Sequence, residues 1–397
     1  MQLGTVALVK YDQTPNALRK ALELCDGFEK LKPTDKVLIK PNAGQGLRKT
    51  QPPNGVVTTT IVLADLIGLL RDYGCSDITI GEGPILLPEF RWDPARAFEW
   101  SGIKQLAQKL GVALVDFNEG EFARFVMGRK RIEVSKVALE ADFLIDVPVL
   151  KTHAQAMVSL GLKNLKGCLH NTSKKNFHRF GLDHFTALLN TKIKPDLTII
   201  DGIYALQRGP WGDDAHRLDL IIAGKDVLSC DLVGSAILGI DPKSVPQFQE
   251  FAQMTGRSPD LESVDIRGER IEDVATKLEW SSGFTDEALR QDYEVRGLTV
   301  DDPGALVCTA CGTTVWIGMC QFLDENRGAE FDTIEFCMGL GPKAKEESCH
   351  VFALGDCAIS ANKKRKDAIR LKGCPPSVQD TYNILKEHLP RICGQSV

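Results

Sequence analysis

Two sets of residues have the types and spacing to do chemistry. The first is Cys308, Cys311, Cys357 and Cys374. Cys308 and Cys311 form a C-x2-C in CTACGT, Cys357 ends VFALGDC, and Cys374 sits in the turn GCPPS before the last predicted helix. Four thiolates suit a 4Fe-4S cluster or a zinc ion. C-x2-C serves either metal. Gly-Cys-Pro-Pro is more particular. Gly admits close approach of the backbone to a cluster, and the prolines remove amides and stiffen the loop that holds the ligand. The expectation is a 4Fe-4S cluster, with zinc, or no metal, as alternatives.

The second set lies at the ends of predicted strands. In open α/β sheets, ligands bind beyond the carboxyl ends of the strands. VLIK delivers Lys40, Pro41 and Asn42, and DITIG delivers Gly81, Glu82 and Gly83. FLIDVPVL delivers Lys151, Thr152 and His153, LTIIDG delivers Asp201, and LIIAG delivers Gly224 and Lys225. Five such endings on one edge would line a crevice. The stretch after Lys151 adds Lys163, Asn164, Lys166, His170, His178 and His184, with Cys168 among them and expected outside the core. Cationic donors grouped with Asn suit a carboxylate or a phosphate. A Lys in a partly dry site can lose its proton near neutral pH and act as base or nucleophile. Lys40, Asn42, Asn164, Lys166 and Asp201 are therefore expected to bind a small anionic substrate, and Lys151, His153, Lys163 and Glu82 to carry the chemistry. The bland alternative is a basic, solvated loop. The histidine spacing matches no strong metal signature.

The elements that must position these residues alternate in type. TVALVKY, VLIK, DITIGEG, VALVDF, DFLIDVPVL, LTIIDG and LDLIIAG read as strands. NALRKALELC, TTIVLADLIGLLRDYG, IKQLAQKLG and VLSCDLVGSAILG have helical spacing. Short Val/Ile/Leu runs separated by such helices indicate an α/β fold with a largely parallel sheet covered on both faces. Residues 1–240 are expected to form this α/β domain, 241–300 a helical connecting region, and 301–397 a smaller α/β cysteine-rich domain. In the last, TTVWIGMCQFLDENRG is a helix, DTIEFCMG and CHVFALGD are strands, and Ser377 with Asp380 makes a capping box for the final helix.

Composition is that of an ordinary globular chain, with 43% hydrophobic and 25% charged residues. A net charge of −5 gives no general reason to expect nucleic-acid binding. The opening MQLGTVALVKYDQTP is a poor signal peptide, and no run reaches the roughly 18 apolar residues of a membrane helix. A cytoplasmic protein is expected. Cysteine departs from the average, with twelve in the chain and eight of them from Cys308 onward. In a reducing compartment, clustered cysteines bind metal or do redox chemistry more often than they pair. Cys320, Cys337, Cys349 and Cys393 are weaker candidates for the metal. Lys363, Lys364, Arg365 and Lys366 follow Cys357 in one run. They read either as a solvated helix start or as a basic patch that docks an acidic electron carrier of the ferredoxin or flavodoxin type.

IKPN at 39–42, GEGP at 81–84, VPVLKTH at 147–153, LGLKNLKG at 160–167 and IIDGIYALQRGPWG around Asp201 together resemble the domain of unknown function 362 family, over roughly residues 4–240. Members are often described as iron–sulfur proteins, and many carry a ferredoxin-like module with the compact run C-x2-C-x2-C-x3-C-P. This sequence departs from that run: it has Cys308-x2-Cys311 and then distant Cys357 and Cys374. The family's layout also looks like that of lactate-racemase-type proteins. The resemblance implies the fold and the site, and no substrate. The leading functional expectation is an iron–sulfur enzyme acting on a small anionic metabolite. The alternatives are an electron-transfer or cluster-carrier protein, and a redox-silent lyase, isomerase or racemase with zinc or no metal. An oligomer is compatible with all three.

Overall fold

The structure, a computed structural model, describes residues 4–44, 54–86, 93–128, 130–280, 284–300, 307–340, 343–346, 348 and 350–392. The chain divides into two compact units, Met1–Trp280 and Ser281–Val397.

The strands of the first unit are β1 (Gly4–Lys10), β2 (Val37–Pro41), β3 (Ile78–Glu82), β4 (Ala113–Asp116), β5 (Phe122–Met127), β6 (Lys130–Ser135), β7 (Phe143–Val147), β8 (Val149–His153), β9 (Met157–Ser159), β10 (Leu197–Leu206), β11 (Ala215–Gly224) and β12 (Val264–Gly268). Ten of them form one sheet in the order β12-β1-β11-β10-β7-β2-β3-β4, with β8 and β9 branching from β10. Pairing is parallel from β10 through β7, β2 and β3 to β4. The expected α/β fold with a mostly parallel sheet between helices is what the chain adopts.

Period-2 alternation sorts the sheet residues between two helical layers. Ala7, Val9, Ile199, Ile221 and Ala223 pack with the helices Pro15–Leu24 and Thr60–Tyr73. Val6, Leu8, Ile200, Leu220 and Ile222 pack with the helices Val227–Ile237 and Pro246–Thr255. Both helices of the first layer match their sequence patterns, and Gly74 ends Thr60–Tyr73 with φ +108°, the left-handed cap that glycine adopts without strain.

Three expectations are corrected. DFLIDVPVL is two strands, because Pro148 has no N–H to give a ladder. β7 pairs with β2 and β10, whereas β8 pairs with β10 and turns back through β9. β11 runs antiparallel to both β1 and β10. Its carboxyl end, Gly224–Lys225, therefore falls on the edge opposite the ends of the parallel strands, and Lys225 pairs at the surface with Glu29 at 2.6 Å. Finally, residues 241–280 are not a connector. β12 extends the main sheet in parallel with β1, and Val245, Phe248, Phe251, Ala252 and Leu278 lie in its core. The hairpin of β5 and β6 is an addition that the sequence reading did not contain.

The second unit begins earlier than expected, with the helix Asp286–Tyr293 and β13 (Arg296–Val300). β14 (Glu330–Met338), β15 (His350–Leu354) and β16 (Ile369–Leu371) complete a four-stranded sheet in the order β13-β14-β15-β16, parallel throughout. Residues 301–306, just before Cys308, lie outside the described ones. The helices Thr309–Asp324 and Val378–Ile392 pack closely: a Cβ on Gly318 would stand 2.6 Å from Thr381 Cβ. Ser377 caps the last helix by accepting the Asp380 N–H at 2.9 Å.

Phe248 tests the corrected boundary. Its side chain is fully buried in the first unit. Phe248→Ala is expected to lower the stability of that unit by about 3–5 kcal/mol, the usual cost of truncating a core aromatic, measured by denaturant unfolding. A connector residue would change it by a few tenths.

Candidate functional site

β2 and β3 are parallel neighbours, so Lys40 and Glu82 arrive side by side at their carboxyl ends. Lys40 is fully buried. Its Nζ donates to Glu82 Oε2 at 2.5 Å, to Pro41 O at 2.7 Å and to Asn164 Oδ1 at 3.1 Å. Three donors meet three acceptors, so the ammonium is saturated. Glu82 is equally committed: Oε2 also accepts from Ala43 N at 3.3 Å, and Oε1 accepts from Gly83 N at 2.8 Å. The structure thus makes Lys40 and Glu82 a closed internal pair. They do not stand as the ligand-binding and proton-moving groups expected from their strand-end positions.

The LKNLKG turn is docked on this pair. Asp231, buried in the apolar helix Val227–Ile237, accepts from Gly161 N at 2.7 Å and Leu162 N at 2.8 Å and fixes where the turn starts. Asn164 reaches Lys40 with its oxygen, and with Nδ2 it donates to Asp146 Oδ1 at 2.8 Å. Gly167 passes over the ion pair. A Cβ there would stand 2.0 Å from Glu82 Oε1 and 2.6 Å from Lys40 Nζ, so only glycine fits.

Beyond the closed pair the cations are less committed. Lys151, buried, donates to Asn42 Oδ1 and Val56 O, each at 2.8 Å. Burial, and then the Lys163 charge, bring its pKa down to about 7. Lys163, half-buried on the turn, donates to Ser159 Oγ at 3.4 Å, and burial brings it down to about 8 against the attraction of Asp183. Lys166 and His178 are also half-buried and bond to each other through Nζ and Nε2. An ammonium only donates, so His178 Nε2 holds the lone pair and Nδ1–H donates to Gln155 Oε1 at 2.8 Å. His153 Nδ1 accepts from Gln155 N at 3.0 Å and Ala156 N at 3.2 Å. Its proton is therefore on Nε2. Burial and the neighbouring lysine cations, Lys163 foremost, hold it neutral, with a pKa well below the usual imidazole range. His153 is a hydrogen-bond donor whose basic nitrogen is already taken.

The structure brings Asn42, Lys151, His153, Lys163, Asn164 and Lys166 into one network and leaves other expected members out. Asp201 lies within β10, and its carboxylate holds Thr59 N at 2.7 Å and Ile203 N at 3.1 Å. It anchors the start of the helix Thr60–Tyr73. His170 caps the helix Asn171–Phe180, and His184 meets Glu250 at 3.2 Å on the surface. Cys168 is a core residue, with burial pushing its thiol up to about 12.

Sequence reasoning missed Asp146, Asp231, Lys174 and Gln155. Asp146 and Asp231 each interrupt an apolar run, which is a readable signal. Lys174 lies four residues before His178 on one helix face, and its Nζ bonds Gly83 O and, at 3.1 Å, Asn118 Oδ1.

In the second unit, the cysteines come from three segments that follow strands of one parallel sheet. Cys308 begins the helix Thr309–Asp324, where its Sγ accepts Cys311 N at 3.4 Å. Cys357 follows β15 and Cys374 follows β16. Cys311 is buried beside Gly355, where a Cβ would stand 3.1 Å from its sulfur. Burial, followed by the charges of Cys308, Cys357 and Cys374, pushes the Cys311 thiol well above the usual range. Cys311 thus senses each of the other three sulfurs. Among the described residues, no group of three or more His, Cys, Asp or Glu is arranged to hold a metal ion. Cys337 is buried in β14, Cys320 is half-buried on its helix, and Cys349 and Cys393 lie outside the described residues. Arg365 is tied to Asp367 at 3.0 Å and to the carbonyls of Lys345 and Ser348, each at 2.7 Å, whereas Lys363, Lys364 and Lys366 are exposed.

The family described as domain of unknown function (DUF362) matches residues 37–236, half of the chain. This chain belongs to the DUF362 family. The thylakoid-associated protein sll1697 of Synechocystis is 34% identical over 243 residues, 58% of this chain and 71% of that protein. Among solved structures, the lactate racemase apoprotein from Thermoanaerobacterium thermosaccharolyticum aligns at 17% identity and a TM-score of 0.38, covering 58% of this chain and 57% of that one. A protein from Thermotoga maritima aligns at 11% identity and a TM-score of 0.29, covering 62% and 60%. The chain therefore spans less than two thirds of either solved chain.

The DUF362 segment contains every residue of the lysine network, from Lys40 to His178, and none of the four clustered cysteines. Within it, Asp146 offers a direct test of how dry the network is. Its Oδ2 is buried without a hydrogen-bond partner among the described residues, and burial raises its pKa to about 8 against the pull of Lys40. The folded chain therefore keeps a proton on Asp146 that an unfolded chain loses near pH 4. Stability should fall as pH rises from about 4 to 8, by at most about 1.4 kcal/mol per unit from this group. Asp146→Asn should flatten that slope in urea unfolding measured between pH 5 and 8. An unchanged slope would mean that Asp146 is ionised in the fold.

Proposed function

We propose that this DUF362 chain is an iron–sulfur enzyme whose first unit binds a small anionic metabolite. The observation that carries the anion site is the hydrogen bonding of Lys151 and Lys163. Among the described residues both ammonium groups bond only to neutral oxygens, those of Asn42, Val56 and Ser159. Asp183 supplies the carboxylate charge felt by Lys163. Cations held in a dry site by neutral acceptors are stabilised by an anion, and charge-assisted bonds to it are the strong ones. Lys163 and Lys166, both half-buried, are the groups placed to meet a ligand from solvent. His153 presents Nε2–H as a neutral donor.

Cys308, Cys311, Cys357 and Cys374 would hold a 4Fe-4S cluster, which supplies one-electron chemistry when bound. What supports this donor set is Cys311, which is buried and senses the charges of the other three cysteines. Cys311, kept protonated by burial and its neighbours, must release that proton to ligate, so assembly of the cluster should be favoured by rising pH. Zinc on the same four thiols, with a redox-silent reaction in the first unit, is the alternative chemistry. The exposure of Cys374, and of the basic Lys363, Lys364 and Lys366 that follow Cys357 in the chain, favours a second reading, in which the cluster exchanges electrons with an acidic carrier of the ferredoxin or flavodoxin type. Clustered cysteines suit a reducing compartment, the cytoplasm. Among the described residues, no helix is long and apolar enough to cross a membrane.

Anaerobic reconstitution followed by iron and sulfide analysis tests the cluster. About four of each per chain is expected. One zinc and no sulfide would replace this reading with the zinc one. Two substitutions then separate the sites. Cys374→Ser is expected to lose or destabilise the cluster spectrum while the first unit keeps its fold. Lys163→Ala is expected to leave that spectrum intact and weaken anion binding about ten- to hundredfold, the loss of a hydrogen bond to a charged group. If Lys163→Ala unfolds the chain instead, that lysine is structural and the anion site is misplaced.

A further inference from the structure

The valences of Lys151 Nζ can be counted. An ammonium has three N–H bonds, and a neutral amine has two and a lone pair. Two acceptors meet this nitrogen, Asn42 Oδ1 and Val56 O, and neither can become a donor. Val56 O is a backbone carbonyl. Asn42 must present its oxygen, because its Nδ2 donates to Asn164 Oδ1 at 3.1 Å. Asn164 must present its oxygen in turn, because Lys40 Nζ donates to it and its own Nδ2 is spent on Asp146. A chain of fixed amide orientations therefore runs from the Lys40 ammonium and the Asp146 carboxyl to Lys151.

Both protonation states of Lys151 keep the same two bonds. The third tetrahedral position carries a lone pair in one state and an N–H in the other. Among the described residues no third acceptor meets the nitrogen. A proton can thus arrive or leave there with no side-chain rearrangement.

The charges around this nitrogen come from several elements. Lys163 lies on the LKNLKG turn, Glu82 at the end of β3 and Lys40 at the end of β2. His153, on the same strand, is neutral. The Glu82 charge is committed to Lys40 at 2.5 Å, which leaves Lys163, itself drawn by Asp183, as the charge that chiefly opposes an ammonium at Lys151. Burial and Lys163 together hold the Lys151 pKa near 7, so the two forms coexist at neutral pH when the site is empty.

We propose that an oxyanion held by Lys163 and Lys166 draws one proton from solvent onto the Lys151 amine, and that Lys151 is thereby the acid–base group of the site. The balance is simple: the amine takes H⁺ from water and becomes an ammonium whose third N–H faces the ligand. When the anion leaves or loses its charge, the proton is released. His153 is not the base, because its Nδ1 lone pair is held by two backbone amides. This inference rests on the anion site proposed above.

Titration calorimetry of the full chain with sulfate, which does not titrate in this range, tests it. The measurement is repeated in buffers of different ionisation enthalpy, which reports protons exchanged on binding. Malonate is the second probe, for a site shaped to carboxylates. Uptake of about half a proton is expected at pH 7, more at pH 8 as Lys151 and then Lys163 start deprotonated, and little at pH 6. Binding of either probe without proton uptake at pH 7 and 8 overturns the role of Lys151 and leaves the anion site standing. Failure of both probes to bind overturns the anion site, and this inference with it. Lys151→Met should bind more weakly and lose the uptake at pH 7. If it binds and keeps that uptake, the proton belongs to another group and the inference is wrong. Should Lys151→Met not fold, the pH series on the unmodified chain decides alone.

Discussion

The buried pair of Lys40 and Glu82 is the interaction on which the first unit's site depends. Two ions out of water are tolerable only when paired closely and when every remaining donor and acceptor is satisfied. Here the pair is 2.5 Å apart, and the other donors and oxygens are met by Pro41, Asn164, Ala43 and Gly83. Removing one partner would leave an uncompensated buried charge, an effect of about 3–5 kcal/mol. The pair therefore constrains whatever covers it. The LKNLKG turn must pass with a glycine at position 167 and must present Asn164 in one orientation.

That orientation propagates. Each amide in the series has its oxygen and nitrogen assigned by a neighbour that can only donate or only accept, so the network has a single arrangement. Its outcome is a division of labour among lysines that look alike in the sequence. Lys40 is saturated and inert. Lys174 is tied to Gly83 O and Asn118. Lys151, with two acceptors for three valences, and Lys163, with one long bond, hold unspent capacity. Dry surroundings and mutual repulsion make the cationic state of the latter two expensive, and an anion relieves both effects.

In the second unit the candidate cysteines are placed by the direction of the strands. In a parallel sheet every carboxyl end lies on the same edge, so segments following different strands meet without further design. Cys308, Cys357 and Cys374 each follow a different strand, and Cys311 joins them from the first turn of a helix. Burial and the charges of Cys308, Cys357 and Cys374 together oppose a thiolate at Cys311. Gly355 leaves the space that the buried Cys311 sulfur occupies.

Local pattern was enough for much of this. Apolar periodicity located most strands and helices, because burial of one face leaves a direct record in the chain. Strand ends pointed to Lys40, Asn42, Glu82, Lys151 and His153, and the LKNLKG segment to Lys163, Asn164 and Lys166, because polar residues must collect where a buried strand stops. What the sequence could not decide was direction, pairing and satisfaction. A strand reads the same whether it runs parallel or antiparallel, so the reversal of β11 and the removal of Lys225 from the site were invisible. The place of residues 241–280 was equally hidden, since β12 finds its partner β1 more than 250 residues away. A lysine likewise reads the same whether its three donors are filled or not, because some of its acceptors come from segments more than a hundred residues distant. The sequence by itself determined which residue types stand near the strand ends. Only the tertiary structure decided which of them are spent on each other and which remain for a ligand, because hydrogen-bond valence is settled by neighbours in space and not by neighbours in the chain.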